Sequence, residues 1–178
     1  QPLLNTYVNN VNMDEAIQAI EDMIASEKKS YIVAINVDVV MKIENDSYLK
    51  EITDKADMVL VDGKPLEWIA KWHKRPIKAK ISGSDLVPIL CERAAEKGYS
   101  IFIIGGKEGI AEKAKQNLER DLPGIRIVGT YAPPFGFEKD EQECERIVDM
   151  LRQTDANVVL VGLGNPKQTL WIYKYKDR

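Results

Sequence analysis

Val158-Val159-Leu160-Val161-Gly162-Leu163-Gly164-Asn165-Pro166-Lys167-Gln168 is the stretch on which the fold turns. Four apolar residues, most of them β-branched, run into a turn with two glycines, and a proline stands where a helix would begin. The stretch therefore reads as a buried strand feeding a helix N-terminus. Backbone N–H groups at such a terminus are unpaired and partly positive, so a phosphate is favoured there without a dedicated side chain. The plainer alternative is that Gly162 and Gly164 only make a tight turn from strand to helix.

The same pattern recurs upstream. Residues 31–35, 58–61, 101–104 and 125–128 are apolar runs too short and too β-branched to prefer helix. Between them lie helical spacings. Residues 13–28 carry an apolar stripe behind a capping Asn12, and residues 46–56 form a short polar helix. Lys64-Pro65 opens a helix with Leu66, Ile69 and Ala70 on one face and Trp68 and Trp72 on another. Ser82-Gly83-Ser84-Asp85 caps a helix that ends at Gly98, and further helices follow Gly109, Glu138 and Pro166. Such alternation describes one Rossmann-like α/β domain over residues 1–178, with a mainly parallel sheet and helices on both faces. Ligands of these folds bind beyond the C-terminal strand ends. Asn36, Asp38, Asp62, the Gly105 turn, Tyr131 and residues 165–168 all fall there. The loop Ala132-Pro133-Pro134-Phe135-Gly136 is a further candidate binding element.

Composition narrows the partners. A net charge of −3 over 178 residues argues against a bulk nucleic-acid binder, so any basic function is local. Lys71, Lys74, Arg75, Lys78 and Lys80, with the single histidine His73, form one basic stretch. It reads as a solvated connection, or as a rim for phosphate or an anionic membrane surface. Trp68, Trp72 and Trp171 are core residues or, if exposed, surfaces for subunit contact or membrane approach. Cys91 and Cys144 sit far apart on expected helices without a C-x-x-C, which fits a reducing cytoplasm rather than a disulfide or zinc framework. No apolar run approaches membrane-spanning length. The chain begins at Gln1 and its last helix ends at Arg178 without a cap, so a C-terminally truncated chain is expected.

One histidine leaves little room for Ser-His-Asp or Cys-His chemistry, and no Asp-x-Asp pair or ligand-spaced cluster calls for a metal or other cofactor. The Gly105-Gly106-x-x-Gly109 turn matches a dinucleotide fingerprint only loosely. What remains is Asn36 and Asp62 at strand ends, with glycine turns suited to a diphosphate. A carboxylate there can take the proton of an attacking hydroxyl, a role worth roughly 10²–10⁴ in rate; an Asp-Gly turn is the simpler account of Asp62. A non-catalytic module that senses nucleotide or phosphate, and a nicotinamide-dependent oxidoreductase, are the rival readings.

Asn36, Val61-Asp62-Gly63, Ser82-Gly83-Ser84-Asp85, Ile104-Gly105-Gly106, Pro123-Gly124-Ile125, Val128-Gly129 and Gly162-Leu163-Gly164-Asn165-Pro166-Lys167-Gln168 occur in that order. In this combination the chain resembles the WecG/TagA/CpsF family of bacterial glycosyltransferases, and within it the teichoic-acid N-acetylmannosaminyltransferases. The resemblance implies inverting, metal-independent transfer of N-acetylmannosamine from UDP-N-acetylmannosamine to undecaprenyl-diphosphate-linked N-acetylglucosamine, by a peripheral, oligomeric enzyme on the inner face of the membrane. It implies Asp62 as general base and Asn36 as holder of the donor sugar. Lys80 would lie near the phosphates, with Gly106, Tyr131, Asn165 and Gln168 around the UDP, and Ala34, Ser84, Gly105, Gly164 and Lys167 are further positions expected to bind substrate. Two positions depart from the pattern. Ala34 stands where the family usually has threonine, removing a hydroxyl from the sugar pocket, and Thr169 stands where glutamate is usual. The family also extends past the position of Arg178 with arginines for the diphosphate, so the chain alone is expected to bind UDP and transfer sugar poorly.

Overall fold

A computed structural model describes residues 1–178. The chain forms two compact units, residues 1–86 with 172–177 and residues 87–171 with 178.

The first unit opens with a small antiparallel hairpin, β1 (Pro2–Leu3) and β2 (Thr6–Tyr7), which the sequence pattern does not announce. Helix α1 (Met13–Ala25) starts as expected. The Asn12 side chain accepts the Glu15 N–H, and the Glu15 carboxylate accepts the Asn12 N–H, each at 2.9 Å. Ala16, Ile17 and Ile20 then face inward. Strand β3 (Ile32–Ile35) pairs in parallel with β4 (Met58–Val61), Ile32 opposite Met58 and Ile35 opposite Val61. Every residue of β4 is buried, which is why it reads as a continuous apolar run.

Between these strands lie two helices where the sequence shows one. Helix α2 (Val37–Asn45) follows β3 directly, and α3 (Ser47–Asp54) follows with Asp46 as its cap. Val37, Val39 and Val40 make α2 look like continuing strand because β-branched residues favour it locally. Burial of Val39, Val40 and Ile43 on one helical face decides the matter. Helix α4 (Lys64–Trp72) begins two residues after Asp62 with Pro65 in its first turn, and α5 (Gly83–Lys97) starts at the serine-glycine cap.

The second unit is built on β5 (Ser100–Gly105), flanked in parallel by β6 (Arg126–Tyr131) and β7 (Val158–Gly162). Ser100 fixes the start of this sheet: its N–H donates to Asn157 Oδ1 at 2.9 Å, and its carbonyl accepts the Asn157 N–H at 2.9 Å. Helix α6 (Ile110–Asp121) connects β5 to β6. Cys91, Ala94, Ile101, Ile125 and Ile127 form the core, with Leu118, Val158 and Leu160 packed against it. The sequence ends β6 at Val128; the strand runs on through Tyr131. The helix expected from Glu138 is split. Phe137–Lys139 is a single 3₁₀ turn, and Asp140 then caps α7 (Glu141–Arg152) by accepting the Gln142 N–H at 3.0 Å.

β7 corrects the opening expectation of a buried strand. It is the outer strand of its sheet, paired with β5, and Val159 is 38% exposed. Its apolar run therefore reports a half-covered edge. The alternation of strands and helices and the parallel pairing are as the sequence implies. Cys91 and Cys144 are both free and buried, and burial pushes the Cys91 thiol up to about 11. No helix is long and apolar enough to cross a membrane. Helix α8 (Lys167–Tyr175) follows the Gly164-Asn165-Pro166 turn.

Candidate active site

In-register parallel pairing carries Asn36 and Asp62 to the same end of neighbouring strands. The Asp62 N–H donates to the Ile35 carbonyl at 2.8 Å, extending the ladder one step beyond β3 and β4. Asn36 is committed on one side. Its Oδ1 accepts the Val39 N–H at 3.0 Å and caps α2, so its amide NH₂ is the part left to meet a ligand. Ala34, half-buried opposite Leu60, brings only a methyl group toward this end of β3.

Residues 80–82 run beside the end of β4, where the Ile81 N–H donates to the Val61 carbonyl at 2.8 Å. This brings Lys80 and Asp85 into the electrostatic surroundings of Asp62. Burial holds the Asp62 carboxyl above the ordinary carboxylate range; Lys80 draws it back down and Asp85 adds to the rise. Lys80 is not a bare cation. Its Nζ lies 2.5 Å from Asp85 Oδ2, and this bond raises the Lys80 pKa while holding Asp85 at about 2. Asp85 also accepts the Ser82 N–H at 3.2 Å, and its own N–H donates to Ser82 Oγ at 3.1 Å. Ser84 is exposed on the first turn of α5, its hydroxyl 2.8 Å from that of Ser82.

The second unit gathers the glycine turns. Gly105, at φ +125°, lies so close to Gly162 that a Cβ on it would stand 2.2 Å from the Gly162 carbonyl oxygen, and the Gly106 N–H donates to that oxygen at 3.3 Å. Only glycine permits this approach. At the head of α8, Gln168 closes its own turn: its Oε1 accepts the Gly164 N–H at 3.1 Å and its N–H donates to the Gly164 carbonyl at 2.9 Å. One donor of the expected anion site is thereby spent on Gln168. The buried Thr169 donates its hydroxyl to Asn165 Oδ1 at 3.1 Å and orients that amide. Lys167 lies 3.2 Å from Glu138 and 5.5 Å over the ring of Phe135, which stands fully exposed in the proline loop. The Tyr131 hydroxyl donates to Glu143, which raises the Tyr131 pKa, and Arg146 stacks 5.6 Å from its ring.

The structure thus brings Ala34, Asn36, Asp62, Lys80 and Ser84 together in one unit, and Gly105, Gly106, Gly164, Asn165, Lys167 and Gln168 near the strand ends of the other. Tyr131 lies at the end of β6, held by a side chain of α7. Sequence reading names Asp85 as part of a helix cap and Thr169 as a departure from the expected pattern, but it does not show what Asp85, Glu138, Glu143 or Thr169 holds. Asp85 alone has a local signal, the Ser-x-x-Asp spacing. A concavity lined by Glu141, Gln142, Glu145, Arg146, Asp149 and Gln153 runs along α7 and its C-cap, away from the strand ends where ligands of such folds bind. No three His, Cys, Asp or Glu side chains converge as metal ligands do.

Parallel strands thus deliver a half-buried carboxylate, Asp62, and an amide, Asn36, to one strand end of the first unit. The Glycosyl transferase WecG/TagA/CpsF family model matches residues 1–178, and the chain belongs to this family. It is similar to the N-acetylglucosaminyldiphosphoundecaprenol N-acetyl-beta-D-mannosaminyltransferase of Bacillus spizizenii, 28% identical over 149 residues. That alignment covers 84% of this chain and 56% of the relative, so the chain spans a little over half the length of the protein it matches.

Proposed function

We propose that Asp62 is the general base of an inverting transferase that moves N-acetylmannosamine from its UDP donor to undecaprenyl-diphosphate-linked N-acetylglucosamine in the assembly of wall teichoic acid. The observation that carries this reading is the half-buried Asp62 carboxyl at the strand end next to the one that leads into Asn36, its pKa raised by burial and with Lys80 in electrostatic range. In the reaction, Asp62 takes the proton of the acceptor hydroxyl as its oxygen bonds to the anomeric carbon. The carbon–oxygen bond to UDP breaks on the opposite face, and UDP leaves with the electron pair. Inversion follows from that geometry. Asn36 holds the donor sugar through its NH₂ group in this reading, which is supported by its Oδ1 being occupied by the Val39 N–H. The charge developing on UDP calls for a preorganised cation, a role for the Lys80 ammonium. Metal independence belongs to this proposal, as do UDP specificity, peripheral membrane action on the cytoplasmic face and oligomer formation.

The test is transfer of sugar from UDP-N-acetylmannosamine to a short-chain polyprenyl-diphosphate N-acetylglucosamine, with and without chelator, alongside titration with UDP and NAD. UDP binding with chelator-insensitive transfer supports the reading. NAD binding without a UDP response overturns it.

A further inference from the structure

Two of the three tryptophans are on the surface. Trp68 is 64% exposed and Trp72 83% exposed, whereas Trp171 is 6% exposed. The exposed pair is spaced i, i+4 on α4, so both rings project from one stripe of the helix. Indoles left in water at this level are costly for a surface that meets only water. The segment around them is strongly cationic. Residues 64–80 hold Lys64, Lys71, Lys74, Arg75, Lys78 and Lys80 against a single carboxylate, Glu67, in a chain of net charge −3. Glu67 pairs with both Lys64 and Lys71 at 3.0 Å, and Lys78 pairs with Glu15 at 2.6 Å. Lys74 and Arg75, which follow Trp72 and the C-cap His73, are exposed and not drawn into an ion pair.

We propose that the Trp68–Trp72 face of α4, with Lys74 and Arg75, is the surface by which this chain docks on an anionic bilayer. The chemistry is complementary at both depths of the interface. Indoles partition to the boundary between headgroups and acyl chains, and the adjoining cations meet lipid phosphates. A second copy of the chain is a poorer occupant, because a two-fold contact through this patch brings Lys74 and Arg75 against their own symmetry mates. The placement also deepens the reading of a lipid-linked acceptor, on which its functional meaning rests: α4 starts two residues after Asp62 and is about 12 Å long from Lys64 to Trp72. A bilayer at the far end of α4 is within a short reach of the catalytic strand end.

The experiment is vesicle binding by the chain without donor or acceptor, so it stands apart from transfer. Vesicles of 30% phosphatidylglycerol in phosphatidylcholine are compared with phosphatidylcholine alone, by co-sedimentation and tryptophan emission. Because Trp171 is buried, a blue shift reports Trp68 and Trp72. Binding is expected to the anionic vesicles only, and to weaken with salt. Trp68→Ala with Trp72→Ala should abolish it, and each of Lys74→Ala and Arg75→Ala should weaken it roughly fivefold. Circular dichroism checks that the variants fold. Equal binding to both vesicles, none to either, or binding unchanged in the double tryptophan variant overturns the proposal. So does a dimer in sedimentation that dissociates in that variant, since the face is then a contact between copies.

Discussion

The Asp62 N–H donates to the Ile35 carbonyl at 2.8 Å, so the residue proposed as base is fixed by the same ladder that ends with Asn36. Its carboxyl is held above its ordinary pKa chiefly by burial. A group in that state costs stability when charged, because burial disfavours the ionised form. Asp62→Asn keeps the shape and removes the charge. Turnover is expected to fall roughly 10²–10⁴-fold, with UDP affinity within a small factor and thermal stability at neutral pH unchanged or higher. A variant with full turnover, measured by UDP release, shows Asp62 to be a turn residue.

Asn36 has two separable jobs. As cap of α2 it accepts the Val39 N–H, and Asn36→Ala should cost about 1 kcal/mol of folding stability. Asn36→Asp keeps the capping oxygen and loses the amide donors, so stability by denaturant titration should stay near that of the parent while transfer falls. Equal activity in parent and Asn36→Asp removes the amide from the reaction.

The Lys80–Asp85 pair sets a pH response with a definite sign. Lys80 lowers the Asp62 pKa, so Lys80→Ala should move the acid limb of kcat/KM to higher pH. Asp85→Asn removes a repulsive charge and frees Lys80, so the limb should move to lower pH. Asp85 itself is held at about 2 against an ordinary 3.8. Its contribution to stability is present above the ordinary value and is lost as pH falls toward about 2. Acid unfolding of Asp85→Asn should lack that component. Unmoved limbs in both variants assign the rate-controlling ionisation elsewhere.

Much of this arrangement was legible in the chain. Apolar runs mark the parallel strands, the Ser82–Asp85 spacing marks the start of α5, and the polar residues that follow the apolar runs single out Asn36 and Asp62. Helix α2 was hidden because Val37, Val39 and Val40 carry strand propensity and only tertiary burial overrides it. Exposure of β7 was hidden because strand order is not written in local pattern. The hold of Glu143 on Tyr131, and of Glu138 on Lys167, joins elements across the chain, where spacing carries no signal. The structure gives Thr169 a task that its local spacing does not announce, orienting Asn165.

The glycine turn of the second unit makes the last expectation. Gly105→Ala would press a Cβ to 2.2 Å from the backbone oxygen of Gly162, in a left-handed conformation that a side chain resists. Neither strand can yield without breaking the β5–β7 ladder, so the cost should be about 3 kcal/mol or more. Gly109 is the control. It also has positive φ, at +78°, but a Cβ there meets nothing within 4 Å, and Gly109→Ala should cost only about 1 kcal/mol. Urea unfolding of the two variants separates steric approach from backbone strain. If Gly105→Ala is no worse than Gly109→Ala, the two strand ends do not meet as described, and the Gly106 N–H is not tied to Gly162 but available to a phosphate.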